Sequence, residues 1–152
     1  MVIEKPLVMG IINVTNNSFY DGHLDAGLPS ILRLAGQMLA DGADMLDIGG
    51  QSTKPGSRSI GADEEMNRVV PVIKSIKKAY PDVLISVDTY HAEVAKAAVN
   101  AGASIVNDVS GGNWDSAMIS VVAALKVPYI CMHMKGVPET MQNEPKYDDV
   151  VK

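Results

Sequence analysis

The fold prediction starts from the stretch Leu84-Ile85-Ser86-Val87-Asp88-Thr89. An apolar run ends there abruptly in a carboxylate and a hydroxyl, and helix-forming residues follow from Tyr90. Runs that are apolar on both faces are typical of strands in a parallel sheet that helices cover. The same pattern predicts four further strands, at residues 8–13, 45–50, 104–108 and 128–133. Because parallel strands end at one edge of their sheet, we expect the polar groups that close these runs to converge there.

Apolar residues at helical spacing predict a helix after each of the first four strands. The predicted helices span residues 29–40, 62–79, 91–100 and about 115–125. Pro29 suits the first turn of the first helix, and Gly42 and Gly102 are predicted to end the first and third helices. After a polar loop, residues 147–151 are predicted to start another helix. The chain therefore alternates strand and helix throughout.

Five βα units without long insertions fit two α/β architectures. One is an open, doubly wound parallel sheet, and the other is the first five units of a (β/α)8 barrel. A full barrel needs roughly 250 residues, whereas this chain has 152, so length alone favours the open sheet. No glycine-rich dinucleotide fingerprint or P-loop follows the first strand, so the usual phosphate-binding loops of open sheets are not found.

The composition is typical of one globular domain, with 47% hydrophobic and 20% charged residues. The net charge is −5 and lysine and arginine form no run, so we expect no nucleic acid or membrane partner. The single Cys131 cannot form an intramolecular disulfide, which agrees with a reducing compartment. Because the first residues do not follow the order of a signal peptide and no apolar run reaches membrane length, we expect a cytoplasmic protein.

Cys131 and His133 lie two residues apart on the fifth predicted strand and therefore share one strand face. A metal site is a weak interpretation of this pair, because a third ligand at a characteristic spacing is missing. A histidine that hydrogen-bonds the rim of the sheet explains the pattern equally well. The nine methionines are interpreted as core residues.

Five sequence blocks, each at a predicted strand end, resemble in order the blocks of the dihydropteroate synthase family. They are Gly-Ile-Ile-Asn-Val-Thr at 10–15 with Ser-Phe at 18–19, Asp-Ile-Gly-Gly-Gln-Ser-Thr-Lys-Pro-Gly at 47–56, Ser-Val-Asp-Thr-Tyr at 86–90, Asn-Asp-Val-Ser-Gly-Gly at 107–112 and Met-His-Met-Lys-Gly at 132–136. The resemblance covers essentially the whole chain. It implies a (β/α)8 TIM barrel and overrides the length argument. Residues 1–152 would then be the amino-terminal part of a single pterin-binding barrel domain, without its carboxyl-terminal units.

The resemblance also implies a transferase reaction in folate biosynthesis. The family condenses p-aminobenzoate with 6-hydroxymethyl-7,8-dihydropterin diphosphate, which gives 7,8-dihydropteroate and pyrophosphate. This implies Mg2+ as cofactor, these small molecules as partners, a homodimer as one candidate assembly, and no protein nucleophile. Two alternatives remain open. One is a truncated, non-catalytic pterin-binding fragment, and the other is a relative that binds methyltetrahydrofolate for methyl transfer.

Pterin binding is assigned by the resemblance to Asp88, Asn107 and Val109, with Asp47 nearby. A carboxylate accepts hydrogen bonds and an amide both donates and accepts them, which suits the flat polar edge of a pterin. Structural roles are the alternatives: Asp88 as a helix N-cap, and Asn107 as a partner of a neighbouring loop. For Asp47 a structural hydrogen bond is the better interpretation, and for Asp108 a structural cap or loop anchor.

The remaining substrate contacts are also assigned by resemblance. Thr53 matches the position that binds the diphosphate, and Asn13 matches a magnesium-contacting asparagine. A neutral oxygen suits a cation that water and phosphate otherwise hold, whereas turn formation is the alternative role of Asn13. The p-aminobenzoate and loop contacts fall to five further residues, Phe19, Asp21, Lys54, Pro55 and Ser57.

Three departures from the family pattern affect these loops. Lys54 replaces the usual arginine, so that a point charge replaces a planar fork. Asn16-Asn17 replaces a proline and an aspartate, which removes a fixed backbone angle and a carboxylate. Gln51 replaces the usual glutamate. We therefore expect altered contacts between the loops, and weaker ones at position 54.

Overall fold

The computed structural model describes residues 4–14, 24–51, 60–133 and 146–149. Within these ranges, five strands alternate with four helices. The strands are β1 (Met9–Asn13), β2 (Met45–Gly49), β3 (Leu84–Asp88), β4 (Ile105–Asp108) and β5 (Tyr129–Cys131). The helices are α1 (Leu24–Ala40), α2 (Ala62–Ala79), α3 (Ala92–Ala101) and α4 (Met118–Leu125).

The five strands form one parallel sheet in the order β1-β2-β3-β4-β5. A doubly wound sheet reverses its strand order at a switch point, and this sheet does not. The open-sheet alternative, which length alone favoured, is therefore wrong. Sequential winding in one direction is the arrangement of a (β/α)8 barrel and confirms the α/β prediction.

One face of the sheet packs against the helices and forms the core. Its strand residues are almost completely buried, and they include Ile12, Leu46, Ile48, Ile85, Val87 and Val106. The helix α2 covers this face with a buried stripe, Val69, Val72, Ile73 and Ile76. Each of these aliphatic side chains contributes roughly 1.5–3 kcal/mol when it is fully buried, so the stripe stabilises the contact between α2 and the sheet.

The opposite face of the sheet carries the residues that alternate with the core positions. At its outer strands it is open, since Ile11 is 60% exposed and Ile130 is 39% exposed. At its centre Asp47 and Ser86 are buried. We call this surface the inner face, because it corresponds to the interior of a closed barrel.

Several element boundaries differ from the sequence prediction. The helix α1 begins at Leu24, five residues before Pro29, so Pro29 lies inside the helix and not in its first turn. The helix α4 begins at Met118 because Asp115 accepts the Ala117 amide and ends the preceding turn (2.9 Å). Residues 147–149 are not helical, contrary to the prediction for that part of residues 147–151.

Other boundaries agree with the prediction. Gly102 ends α3 with φ of 120°, a left-handed conformation that favours glycine.

None of the four described helices has the length and apolar content that a transmembrane segment requires.

Candidate functional site

The polar strand ends lie in one row across the inner face. In the register of the sheet, Asn13 is opposite Gly49, Gly49 is opposite Asp88, and Asp88 is opposite Asn107. Paired residues of parallel strands point to the same face. The sequence prediction that polar groups converge at one edge is therefore confirmed for the ends of β1, β3 and β4, and β2 contributes Gly49 between them.

Gly49 leaves a gap between two of these side chains. A methyl group built on Gly49 would lie 3.4 Å from Asp88 Oδ2 and 3.5 Å from Asn13 Oδ1. Asp88 Oδ2 and Asn13 Oδ1 therefore lie near the same glycine, one from each neighbouring strand. A side chain at position 49 would occupy the space that separates the oxygens of Asn13 and Asp88.

Asn107 and Asp47 form a hydrogen bond that spans β3. The Asn107 amide nitrogen Nδ2 donates to Asp47 Oδ2 at 3.1 Å. Asp47 is only 3% exposed, whereas Asn107 is half-buried. Asp47 therefore has the structural hydrogen bond that its sequence context predicted, and this bond holds the side chain of Asn107.

Asp88 is the last residue of β3 and does not cap the following helix. The N-cap of α3 is His91, whose backbone N–H donates to Thr89 Oγ1 (3.1 Å). The next amide, of Ala92, donates to Asp115 Oδ2 (2.7 Å). Thr89 and Asp115 supply the acceptors that a capping residue would provide. The alternative role of Asp88 as an N-cap is wrong.

The Asp88 carboxyl is buried next to two other acidic side chains. Burial, together with the nearby carboxylates of Asp47 and Asp108, raises its pKa from 3.8 to about 7. Because it forms no hydrogen bond with the described residues, its oxygens are available to a hydrogen-bond donor on a ligand. A buried and perturbed carboxyl in a polar row is typical of a functional site.

Asp108 points to the helix face and anchors the turn after β4. Its carboxylate accepts the backbone N–H groups of Ser110 (2.7 Å) and Gly112 (2.9 Å) and the hydroxyl of Tyr129 (2.7 Å). The interpretation of Asp108 as a loop anchor is confirmed. The same turn contains Val109, which is half-buried directly after the end of β4.

Six predicted site residues lie outside the described residues: Phe19, Asp21, Thr53, Lys54, Pro55 and Ser57. The two ends of residues 52–59 are nevertheless joined by a described contact. Gln51 Oε1 accepts the Ile60 N–H at 3.3 Å and the Tyr90 hydroxyl at 3.1 Å. Gln51, which departs from the family pattern, thus connects this segment to the end of β3.

The metal interpretation of Cys131 and His133 gains no support. The strand β5 ends at Cys131, and the His133 ring lies 5.4 Å from the ring of Tyr147. No group of three or more histidine, cysteine, aspartate or glutamate side chains in the described ranges could hold a metal ion. For Mg2+, the exposed Asn13 offers one neutral oxygen to the row, which fits an ion held mainly by phosphate and water.

Glu65 is the charged residue of this region that the sequence interpretation missed. It is only 1% exposed, and its carboxylate accepts a hydrogen bond from the Thr89 hydroxyl at 2.9 Å. Thr89 directly follows Asp88 in the sequence. The pKa of Glu65 is raised from 4.5 to about 7, chiefly by burial; the Thr89 hydrogen bond and Arg68 lower the pKa, and the Asp88 charge raises it. Helical spacing was the available signal, because Glu65 precedes Val69 on the buried stripe of α2.

Replacing Glu65 with glutamine is expected to stabilise the protein at pH 8 and to change little at pH 4.5. The folded-state pKa of about 7 lies above the usual 4.5, so stability from this group is lost as pH rises through that window. A neutral glutamine avoids the loss, which corresponds to about 3 kcal/mol at pH 8. Urea unfolding at both pH values measures the difference.

The matched control is Asp63→Asn, which removes an exposed charge from the same first turn of α2. We expect it to change the free energy of unfolding by less than about 1 kcal/mol at either pH. Equal stabilities of wild type and Glu65→Gln at pH 8 would show that Glu65 ionises as readily in the folded protein as in the unfolded chain.

The comparisons with known proteins point to one family. The family described as pterin binding enzyme matches residues 9–152. Dihydropteroate synthase of Bacillus subtilis is 51% identical over 141 residues, which cover 93% of this chain and 48% of that protein.

Two solved structures agree with this match. Dihydropteroate synthase of Yersinia pestis with a sulfonamide drug has a TM-score of 0.85 at 40% identity, over 99% of this chain and 54% of that one. The Xanthomonas albilineans enzyme with 4-aminobenzoic acid has a TM-score of 0.81 at 40% identity, over 99% of this chain and 52% of that one. The chain spans about half the length of these relatives. It belongs to the pterin binding enzyme family, as a homologue of the amino-terminal portion of dihydropteroate synthase.

Proposed function

We propose that the chain binds a pterin on its inner face and serves the dihydropteroate synthase reaction of folate biosynthesis. In that reaction p-aminobenzoate and 6-hydroxymethyl-7,8-dihydropterin diphosphate give 7,8-dihydropteroate and pyrophosphate. The single observation that carries the proposal is the row Asn13, Gly49, Asp88 and Asn107 across four neighbouring strands. Residues 1–152 would form the amino-terminal part of one pterin-binding barrel domain.

Pterin recognition would use Asp88 and Asn107, with Val109 at the adjoining turn. A pterin presents ring N–H and amino donors along one edge, and these need acceptors once water is removed. Asp88 supplies carboxylate oxygens without a competing hydrogen bond in the described residues. Asn107 lies directly opposite Asp88 in the sheet, so both can face one flat ring.

The diphosphate would lie toward β1 and the β2–α2 segment. Asn13 is the oxygen ligand proposed for Mg2+, and Thr53 is proposed to donate to the diphosphate. Gln51 connects the segment that contains Thr53 to Tyr90, close to Asp88. A bound Mg2+ would neutralise the charge that grows on the departing diphosphate oxygen. The gap above Gly49, between the oxygens of Asn13 and Asp88, would leave space for Mg2+ and the diphosphate.

The chemistry requires positioning more than covalent catalysis. The arylamine nitrogen forms a bond to the pterin methylene carbon, the bond from that carbon to the diphosphate oxygen breaks, and the amine loses a proton. No protein nucleophile takes part in this step. The protein's contribution would be to orient both substrates and to exclude water. We assign the p-aminobenzoate side to the loop residues Phe19, Asp21, Lys54, Pro55 and Ser57.

A non-catalytic pterin-binding protein is the second candidate function. The polar row can bind a pterin without further chemistry, and only a product assay distinguishes such binding from the synthase reaction. A methyltetrahydrofolate-binding methyltransferase is less well supported, since the relatives compared are dihydropteroate synthases. We further propose a homodimer in the cytoplasm, acting on small molecules and not on nucleic acid or a membrane.

The test combines a binding measurement with a product assay. Calorimetry with the pterin diphosphate measures binding, and chromatography after addition of p-aminobenzoate and Mg2+ measures dihydropteroate and pyrophosphate. Binding with product supports the synthase, whereas binding without product supports the second candidate. Absence of pterin binding to the folded protein contradicts both.

Replacing Gly49 with alanine is expected to weaken binding of the pterin diphosphate about tenfold, because one methyl group fills part of a ligand site. The methyl would meet Asp88 and Asn13 at ordinary van der Waals distances, so the fold should tolerate it. Calorimetry measures the dissociation constant. Gly61→Ala is the matched control, since a methyl there would meet no atom within 4 Å. Unchanged affinity in Gly49→Ala would place the ligand away from this gap.

A further inference from the structure

The orientation of the Asn107 side chain follows from its partner. Asp47 offers a carboxylate, which has only acceptors when ionised. Of the two ends of the Asn107 amide, only Nδ2 can donate to Asp47 Oδ2 across 3.1 Å. The reversed amide would bring two acceptors together at that distance, which is unfavourable. Asn107 Oδ1 therefore points away from Asp47 Oδ2.

Asp47 is well placed to enforce this orientation. It is 3% exposed, on the strand two positions from β4 in the sheet, so its carboxylate is shielded from water. Its oxygen Oδ1 has no hydrogen-bond partner within the described ranges, and its oxygen Oδ2 accepts the hydrogen bond from Asn107 Nδ2. Charged hydrogen bonds in a shielded environment are stronger than neutral ones in water.

The consequence is a local pattern of two acceptors. Asp88 and Asn107 are opposite each other at the ends of β3 and β4. Asp88 contributes carboxylate oxygens, and the half-buried Asn107 contributes Oδ1, which has no hydrogen bond with the described residues. A ligand edge that faces both must present two donors.

We propose that Asp47 is a positioning residue that fixes the Asn107 amide and thereby selects rings with an amino group beside a ring N–H. The proposal rests on the proposed pterin function and adds the determinant of its specificity. A ring whose amino group is replaced by a carbonyl would place an acceptor against Asn107 Oδ1. With Asp47 present, the amide cannot turn to meet it without losing its charged partner.

The test compares 7,8-dihydropterin with the corresponding 2-oxo ring, a dihydrolumazine, in which the amino group becomes a carbonyl and ring N1 becomes an N–H. We expect wild type to prefer the 2-amino ring by about 100-fold, since unpaired buried polar groups discriminate strongly. In Asp47→Asn the partner offers both a donor and an acceptor, so the Asn107 amide can adopt either orientation. The preference should fall below about tenfold. A residue that only maintained the fold would weaken both ligands equally.

A charge swap sharpens the experiment. In the double variant Asp47→Asn with Asn107→Asp, the carboxylate at position 107 accepts from the amide at position 47 and keeps its other oxygen for the ligand. We expect it to recover a preference of at least about 50-fold, because both pocket groups are again acceptors. Failure of the swap to recover the preference overturns the proposal, as does an unchanged preference in Asp47→Asn.

Ser86→Ala is the matched control, because Ser86 is opposite Asp47 on the inner face, is equally buried and has no hydrogen bond to Asn107. The Ser86→Ala variant should prefer the 2-amino ring as strongly as wild type does.

A measurement without ligand separates the pterin function from the positioning of Asn107 by Asp47. In nuclear magnetic resonance spectra, Asp47→Asn should shift the side-chain amide signals of Asn107. If wild type binds neither ring while this shift is present, the pterin function fails but the positioning by Asp47 holds. Absence of the shift contradicts the positioning itself.

Discussion

Pterin binding is expected to fall by at least about 100-fold when Asp88 is replaced by alanine. A hydrogen bond to a charged group contributes about 1.5–3 kcal/mol, and a donor edge can form two of them with one carboxylate. Asp88 ends β3 in the centre of the polar row and forms no competing hydrogen bond with the described residues. Calorimetry with 7,8-dihydropterin measures the loss.

The pH dependence of the same binding provides an independent check. Burial and the neighbouring carboxylates raise the pKa of Asp88 to about 7, and the ionised form is the better acceptor. Affinity should therefore rise as the pH increases from 6 to 8. Asp88→Asn preserves the shape of the side chain and should flatten this profile. A profile that Asp88→Asn leaves unchanged would assign the titration to another group, and unchanged affinity in Asp88→Ala would remove Asp88 from the site.

The sequence predicted the row because the chemistry at each strand end is local. Each apolar run ends in a distinct polar residue, and the parallel arrangement brings those ends to one edge. The pattern placed Asn13, Asp88 and Asn107 at strand ends, and the resemblance to a family then assigned them to the site. Their neighbour Gly49 could not be assigned in this way, because its role is the space between two side chains of other strands, which depends on the register.

Length misled the choice of architecture, and strand order corrected it. Alternating strands and helices fit both an open sheet and a partial barrel, and hydrophobic periodicity carries no information on strand order. The sequential order of the five strands separates the two. Only the resemblance to a family had indicated the barrel before the order was known.

The sequence interpretation missed Glu65 and misplaced Pro29. Glu65 belongs to the acidic first turn of α2, where a negative charge is favourable for the helix dipole, although its spacing also places it on the buried stripe. Pro29 was taken as a first-turn signal, although α1 extends five residues further toward the amino terminus. Both cases show that a local preference is overridden when tertiary packing fixes a different position.

Replacing Asp108 with alanine is expected to destabilise the fold by about 4 kcal/mol. Its fully buried carboxylate accepts two backbone N–H groups of the β4–α4 turn and the Tyr129 hydroxyl. The substitution leaves these donors without their acceptor, and each unsatisfied buried group costs about 1–3 kcal/mol. Urea unfolding followed by circular dichroism measures the change.

Tyr129→Phe is the matched control for this network. It removes one of the donors and leaves Asp108 with its two backbone partners, Ser110 and Gly112. We therefore expect a loss of only about 1 kcal/mol. Asp108→Ala should also weaken pterin binding less than Asp88→Ala, because Asp108 faces the helices and not the inner face. If Asp108→Ala were no less stable than Tyr129→Phe, the backbone hydrogen bonds of the turn would have no net stabilising effect, and the anchor role of Asp108 would be refuted.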